Sequence, residues 1–214
     1  MNEHDTQLEA LQDIRRMMQR SSRFISLSGL SGIAAGICGL IGAWFAYDWI
    51  SEYYAAYNDT GYTNQAFHKL KYNLFLLAAG VLGAALLSAF YFTWRKADKD
   101  GASLWNHTSR NLALNMAIPL VAGGFFILAM LQYSEWRFVA PASLIFYGLA
   151  LVNGGKYTLS EIRYLGLTEL LLGLISTQAI GYGLYFWAFG FGVLHILYGF
   201  AMWWKYERKP EAVK

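Results

Sequence analysis

The sequence predicts an all-α, polytopic membrane protein: six transmembrane helices, N- and C-termini cytoplasmic, arranged as three sequential helical hairpins. Three observations support this. Of 214 residues, 56% are hydrophobic and only 14% charged, against about 25% charged in soluble domains. The apolar residues gather in six segments, at 24–47, 70–94, 111–132, 138–153, 162–180 and 184–204. Lysine and arginine are unevenly shared between the connections: 14 fall on the side of the termini and 3 (Lys69, Lys71 and Arg137) on the other. Cytoplasmic loops collect such residues, so both ends are expected inside, in a plasma (inner) membrane.

Residues 1–23 form a polar but patterned N-terminal segment. Leu8, Leu11, Ile14 and Met18 recur at three- and four-residue spacing, one stripe of a helix. Acids precede the basic Arg15, Arg16, Arg20 and Arg23, which complements a helix dipole. Such a helix lies on the membrane surface, docks on a partner, or simply leads into the first span. The first apolar run is too long for a signal-peptide core and is expected to stay as an uncleaved span.

The transmembrane domain is expected over 24–206, with a cytoplasmic tail at 207–214. About 20 apolar residues cross a hydrocarbon core of about 30 Å. Five segments reach that length; the fourth is short, with Pro141 near its start and Gly154-Gly155 at its end. Asp48 to Lys69 reads as the longest connection, a Tyr-rich outer loop or cap. Asp98-Lys99-Asp100-Gly101 is a turn signal in the inner loop. Pro119 is expected to bend the third segment. Tyr147-Gly148-Leu149-Ala150 resembles Tyr198-Gly199-Phe200-Ala201, a match that low-complexity membrane sequence produces easily.

Glycine dominates the packing motifs. Gly29, Gly32, Gly36 and Gly39 line one face of the first helix. That face suits close packing on a neighbouring helix, or contact with a second copy or a partner subunit. In segment five Glu169 has Gly166 and Gly173 three before and four after it; in segment six His195 has Gly192 and Gly199 at the same offsets. Each ionisable residue therefore shares a face with small residues, which turns it toward other helices rather than lipid.

A depth count sharpens this. Glu169 lies thirteen residues before Tyr182 and His195 thirteen after it. Across a hairpin turning at Gly181-Tyr182-Gly183 both sit about 20 Å from the turn. A charge at a helix centre costs about 2.5–3.5 kcal/mol on insertion scales. Glu169 is therefore expected to be protonated or paired with a charged His195, in a substrate or proton pocket that Ser176, Tyr198 and Asn115 extend. The alternative is a hydrogen-bonded pair that only fixes helix register.

Other chemistries lack support. No run of basic residues suggests nucleic acid. No nucleophile elbow, Walker loop or H-E-x-x-H occurs. The single Cys38 excludes an internal disulfide and suits a small apolar position. His4, His68 and His107 are expected away from His195, so neither a zinc cluster nor a bis-histidine haem is expected, and no cofactor. Ile180-Gly181-Tyr182-Gly183 resembles a potassium-channel filter over four residues, but Ala179 precedes it and no room remains for a pore helix. Three functions stay open: a proton-linked transporter or permease of a small molecule, a membrane sensor or accessory subunit, and an embedded enzyme on a lipid-soluble substrate. A non-enzymatic role is favoured.

Overall fold

The computed structural model describes residues 27–61, 63–101 and 103–208. The amphipathic stripe expected within 1–23 and the end of the tail lie outside the described residues. The described chain contains helices and no strands. They are α1 (Gly29–Thr60), α2 (Asn64–Lys99), α3 (His107–Gln132), α4 (Val139–Gly154), α5 (Ser160–Gln178) and α6 (Gly183–Tyr206). A 3-10 turn, Trp136–Phe138, leads into α4. Within α6, Ala188–Leu194 is wound as a π-helix.

Local chemistry sets the boundaries. Ser28 caps α1 by accepting from the Leu30 N–H, and Thr63 caps α2 through the Ala66 N–H. Asn106 and Ser109 form a reciprocal capping box at the start of α3. Gly61, Gly101 and Gly181 close α1, α2 and α5 with positive φ of 78°, 62° and 108°, a region only glycine enters cheaply. Pro141 sits in the first turn of α4, where its missing N–H costs no helical hydrogen bond.

One expectation needs correcting. The stretch from Asp48 to Lys69 is not a long loop or cap. Helix α1 runs on to Thr60 and α2 starts at Asn64. At 1.5 Å per residue they are about 48 and 54 Å long, well over a hydrocarbon thickness of about 30 Å. The polar, aromatic sequence marks a change of composition along this helical hairpin, not where helix ends.

Among the described residues five helices are long and apolar enough to cross a membrane; the fourth segment, expected to be short, is one of them because helix starts at Trp136, and the exception is α5, which was expected to reach that length. Its 19 residues include Glu161, Arg163 and Glu169. Its outer face is nonetheless apolar, with Tyr164, Leu171 and Ile175 exposed. Leu82, Leu87, Phe90, Leu114, Ile118 and Phe125 are likewise exposed on α2 and α3. A soluble monomer rarely shows so extensive an apolar surface.

The helices form two groups, each held by a glycine seam. In one, α1 packs on α2 and, antiparallel, on α6. In the other, α4 lies between α3 and α5. The seams are alike in detail. A Cβ on Gly199 would lie 2.6 Å from the Ile33 N and 2.7 Å from the Gly29 O; one on Gly148 would lie 2.6 Å from the Leu170 N and 2.7 Å from the Gly166 O. Backbone meets backbone in both, which only glycine allows. Gly32, Gly36 and Gly39 continue the first seam against α6, and Gly173 continues the second against Ile145. The glycine face of α1 is thus filled from within the chain. Gly192, on α6, packs against Leu40 of α1.

The bundle has two ends. The turn face carries the α1–α2, α3–α4 and α5–α6 connections; the terminal face carries the start of α1 and the end of α6. At the terminal face Glu207 accepts from the Gly29 N–H (2.6 Å) and the Ser28 hydroxyl, with the Lys96 ammonium 3.7 Å away. Lys96 also donates to the Leu27 carbonyl. A carboxylate at a helix N-terminus satisfies orphan N–H groups and complements the dipole. This clasp joins α1, α2 and α6.

Candidate functional site: a buried Glu–His–Tyr line

Glu169 and His195 meet where the two groups face each other. Glu169 projects from α5 between α4 and α6 and is completely buried, at 0% exposure; His195 is 6% exposed. The His195 Nδ1 lies 3.4 Å from the Glu169 Oε1. That distance allows charge attraction, yet neither carboxylate oxygen has a hydrogen-bond partner. Buried polar atoms are normally satisfied, so such an orphan calls for an explanation.

The π-helical stretch shapes the site. Nδ1 of His195 donates to the Gly190 carbonyl, five residues earlier, at 2.9 Å. A carbonyl only accepts, so Nδ1 carries the hydrogen. The other nitrogen, Nε2, lies 2.8 Å from the Tyr147 hydroxyl of α4. In a neutral ring Nε2 accepts from Tyr147; in a charged ring it donates. Both protonation states therefore fit one arrangement of heavy atoms. Tyr147 and Phe191 stack beside the imidazole, at 5.4 and 5.9 Å between ring centres. Gly190 gives the carboxylate its space: a Cβ there would lie 2.5 Å from the Glu169 Oε2 and 2.6 Å from the Leu144 Cδ2. Inserted π turns are frequent at functional sites.

Of the five residues proposed for the pocket, Glu169 and His195 are brought together. Ser176 is fully buried on the same helix, two turns nearer the turn face, and its hydroxyl is unpartnered. Tyr198 packs against an apolar cluster of Leu151, Leu159, Ile162, Leu165 and Met202. Asn115 donates to the Asn111 carbonyl and receives Asn153 on its own carbonyl, which ties α3 to α4. No hydrogen bond or ion pair joins Ser176, Tyr198 or Asn115 to the Glu169–His195 pair. Tyr147 and Gly190 are the residues that sequence reasoning missed. The Tyr147/Tyr198 match drew attention to both tyrosines without saying which reached the histidine.

Between the pair and the terminal face lies a second polar contact. Glu161, ahead of the apolar stretch of α5, accepts from the Lys205 ammonium (2.6 Å) and the Tyr206 hydroxyl (3.1 Å). Burial pushes the Glu161 carboxyl up, but hydrogen bonds from Lys205, the backbone and Tyr206 outweigh it and hold the group below its ordinary value. Among the described residues no three His, Cys, Asp or Glu side chains gather as a metal site. Comparison with protein-family models, curated proteins and solved structures yields no match for this chain.

The arrangement can hold and pass a proton. A buried carboxylate alone is expensive, and a buried imidazolium alone is too. Together they are neutral overall, whichever of them carries the shared proton. Gain or loss of one further proton leaves a net charge in a place closed to water. Relief then requires helix movement, counter-ion entry or ligand binding.

Proposed function

We propose that the protein is a proton-linked transporter of a small molecule, with six membrane-spanning helices and its terminal face in the cytoplasm. The observation that supports this best is the fully buried, unsatisfied Glu169 carboxyl beside His195, which is itself linked to Tyr147. Ionisable groups at such depth are costly and belong to proton and substrate pathways by default. The crowding of lysine and arginine on the terminal side supports the orientation. Glu169 is the proton acceptor, His195 its partner, and Tyr147 the contact that links the pair to α4.

The test uses the purified protein in lipid. Infrared difference spectra across a pH titration should show a carboxylic-acid band that Glu169→Gln removes. In proteoliposomes under a pH gradient, a panel of amino acids, sugars and organic cations should give charge movement for at least one class, absent in Glu169→Gln. A spectrum identical in wild type and Glu169→Gln, with no substrate-dependent current, would overturn the proposal.

A further inference from the structure

We infer that Glu161, Lys205 and Tyr206 form a latch, backed by an apolar plug, that closes the Glu169–His195–Tyr147 site against the terminal face. The inference rests on the transport reading and adds how access to that site is controlled.

Three observations carry it. First, the two helix groups are unequally joined. Within each group, glycine seams bring backbones into contact, and Glu207 and Lys96 clasp α1, α2 and α6 together. Between groups, α5 touches α6 only sparsely along its length, and α4 meets α6 near the turn face and, through Leu144 and Tyr147, beside the site. Among the described residues, Glu161 to Lys205 and Tyr206 is a polar contact that bridges them at the terminal face.

Second, the space between site and latch is apolar. Ile162 and Leu165 of α5 lie seven and four residues from Glu169; Tyr198 and Met202 of α6 lie three and seven from His195. These side chains cluster with Leu151 and Leu159, and Leu194 packs on them. The plug is therefore built from both groups, so separating the groups divides it. Apolar constrictions stop water and ions by dewetting, and a small widening is enough to wet them.

Third, the chain supplies a pivot at the opposite end. The α5–α6 turn carries Gly181 at φ 108°, with nothing near enough to meet an added side chain. The other link between the groups, from α2 to α3, carries Gly101 at φ 62°, also unobstructed. Hinges are commonly a few such loop residues that absorb a dihedral change.

The experiment uses full-length protein in nanodiscs, with Cys38→Ser as background. Spin labels at Ser160→Cys and Arg208→Cys report the terminal face; labels at Gln178→Cys and Leu184→Cys report the pivot. Lys205→Met/Tyr206→Phe should widen the first pair by about 5 Å, the opening that a tilt of about 10° gives at this distance from the turn, and leave the second pair unchanged. Separately, Met202→Cys should react with a water-soluble thiol reagent at least about tenfold faster once the latch residues are replaced, a shift of about 1.4 kcal/mol in barrier. Unchanged distances and an inert Met202→Cys in the latch-free protein would overturn the inference. If the Glu169 acid band still titrates there, the transport reading stands without the latch; if that band is missing too, both fall.

Discussion

Replacing His195 by Phe should destabilise the protein far more than replacing both members of the pair. The His195 Nδ1 and the Glu169 Oε1 stand 3.4 Å apart. Opposite unit charges at that distance attract by about 5 kcal/mol at an effective dielectric constant near 20. Breaking a buried pair by removing one partner costs about 3–5 kcal/mol, because the survivor is left uncompensated. Here the survivor, Glu169, has no hydrogen bond to fall back on. The double variant Glu169→Leu/His195→Phe removes both groups and replaces them with apolar side chains of similar reach. It still leaves the Tyr147 hydroxyl without its histidine partner, so it should lie about 1–3 kcal/mol below wild type but well above the single variant. Thermal unfolding in one detergent reads both: the single variant should melt on the order of 10 °C below wild type and the double between the two. The double variant should also lose all proton-linked transport while remaining folded. Equal melting points for single and double variants would refute the charge pairing.

Gly199→Ala should cost about 1–3 kcal/mol, since the new methyl meets the α1 backbone, whereas Gly80→Ala and Gly83→Ala face open space and should be neutral or gain up to about 1 kcal/mol in helix propensity; melting temperatures separate the two classes. Gly190→Ala should push the Glu169 carboxylate aside and change the frequency of its infrared carboxyl band with little change in helix content by circular dichroism. The lowered Glu161 carboxyl stabilises the fold above the ordinary carboxyl range, and that contribution disappears as pH falls through its lowered value. Lys205→Met should therefore flatten the acid limb of a stability–pH curve, by less than about 1 kcal/mol for so exposed a partner.

The helices were legible because apolar length and glycine punctuation act locally. The level pairing of Glu169 with His195 was also legible, since a short turn makes depth a matter of counting. Other features were not. Composition between Asp48 and Lys69 turns polar and aromatic, and a helix can run unbroken through such a change, so α1 and α2 ran on where a loop was expected. Tyr147 carries a polar tip on an otherwise apolar helix, and nothing in its neighbours says that the tip reaches across to α6. The π-helical stretch left no mark beyond Gly190 and Gly192, because its sequence is as apolar as the α-helix on either side of it. Asn115 and Tyr198 were plausible by type, but hydrogen-bond and packing partners are tertiary facts.

The shortness of the α5–α6 turn has a mechanical consequence. Helices anchored together at one end can part only as a wedge, with displacement growing in proportion to the lever arm. Glu169 and His195 lie about 20 Å along that arm and Glu161 about 32 Å. A splay of about 10° would therefore shift the first level by about 3.5 Å, roughly the width of one water molecule, and the second by about 5.5 Å. Hydration would thus advance from one side only, reaching the carboxyl last.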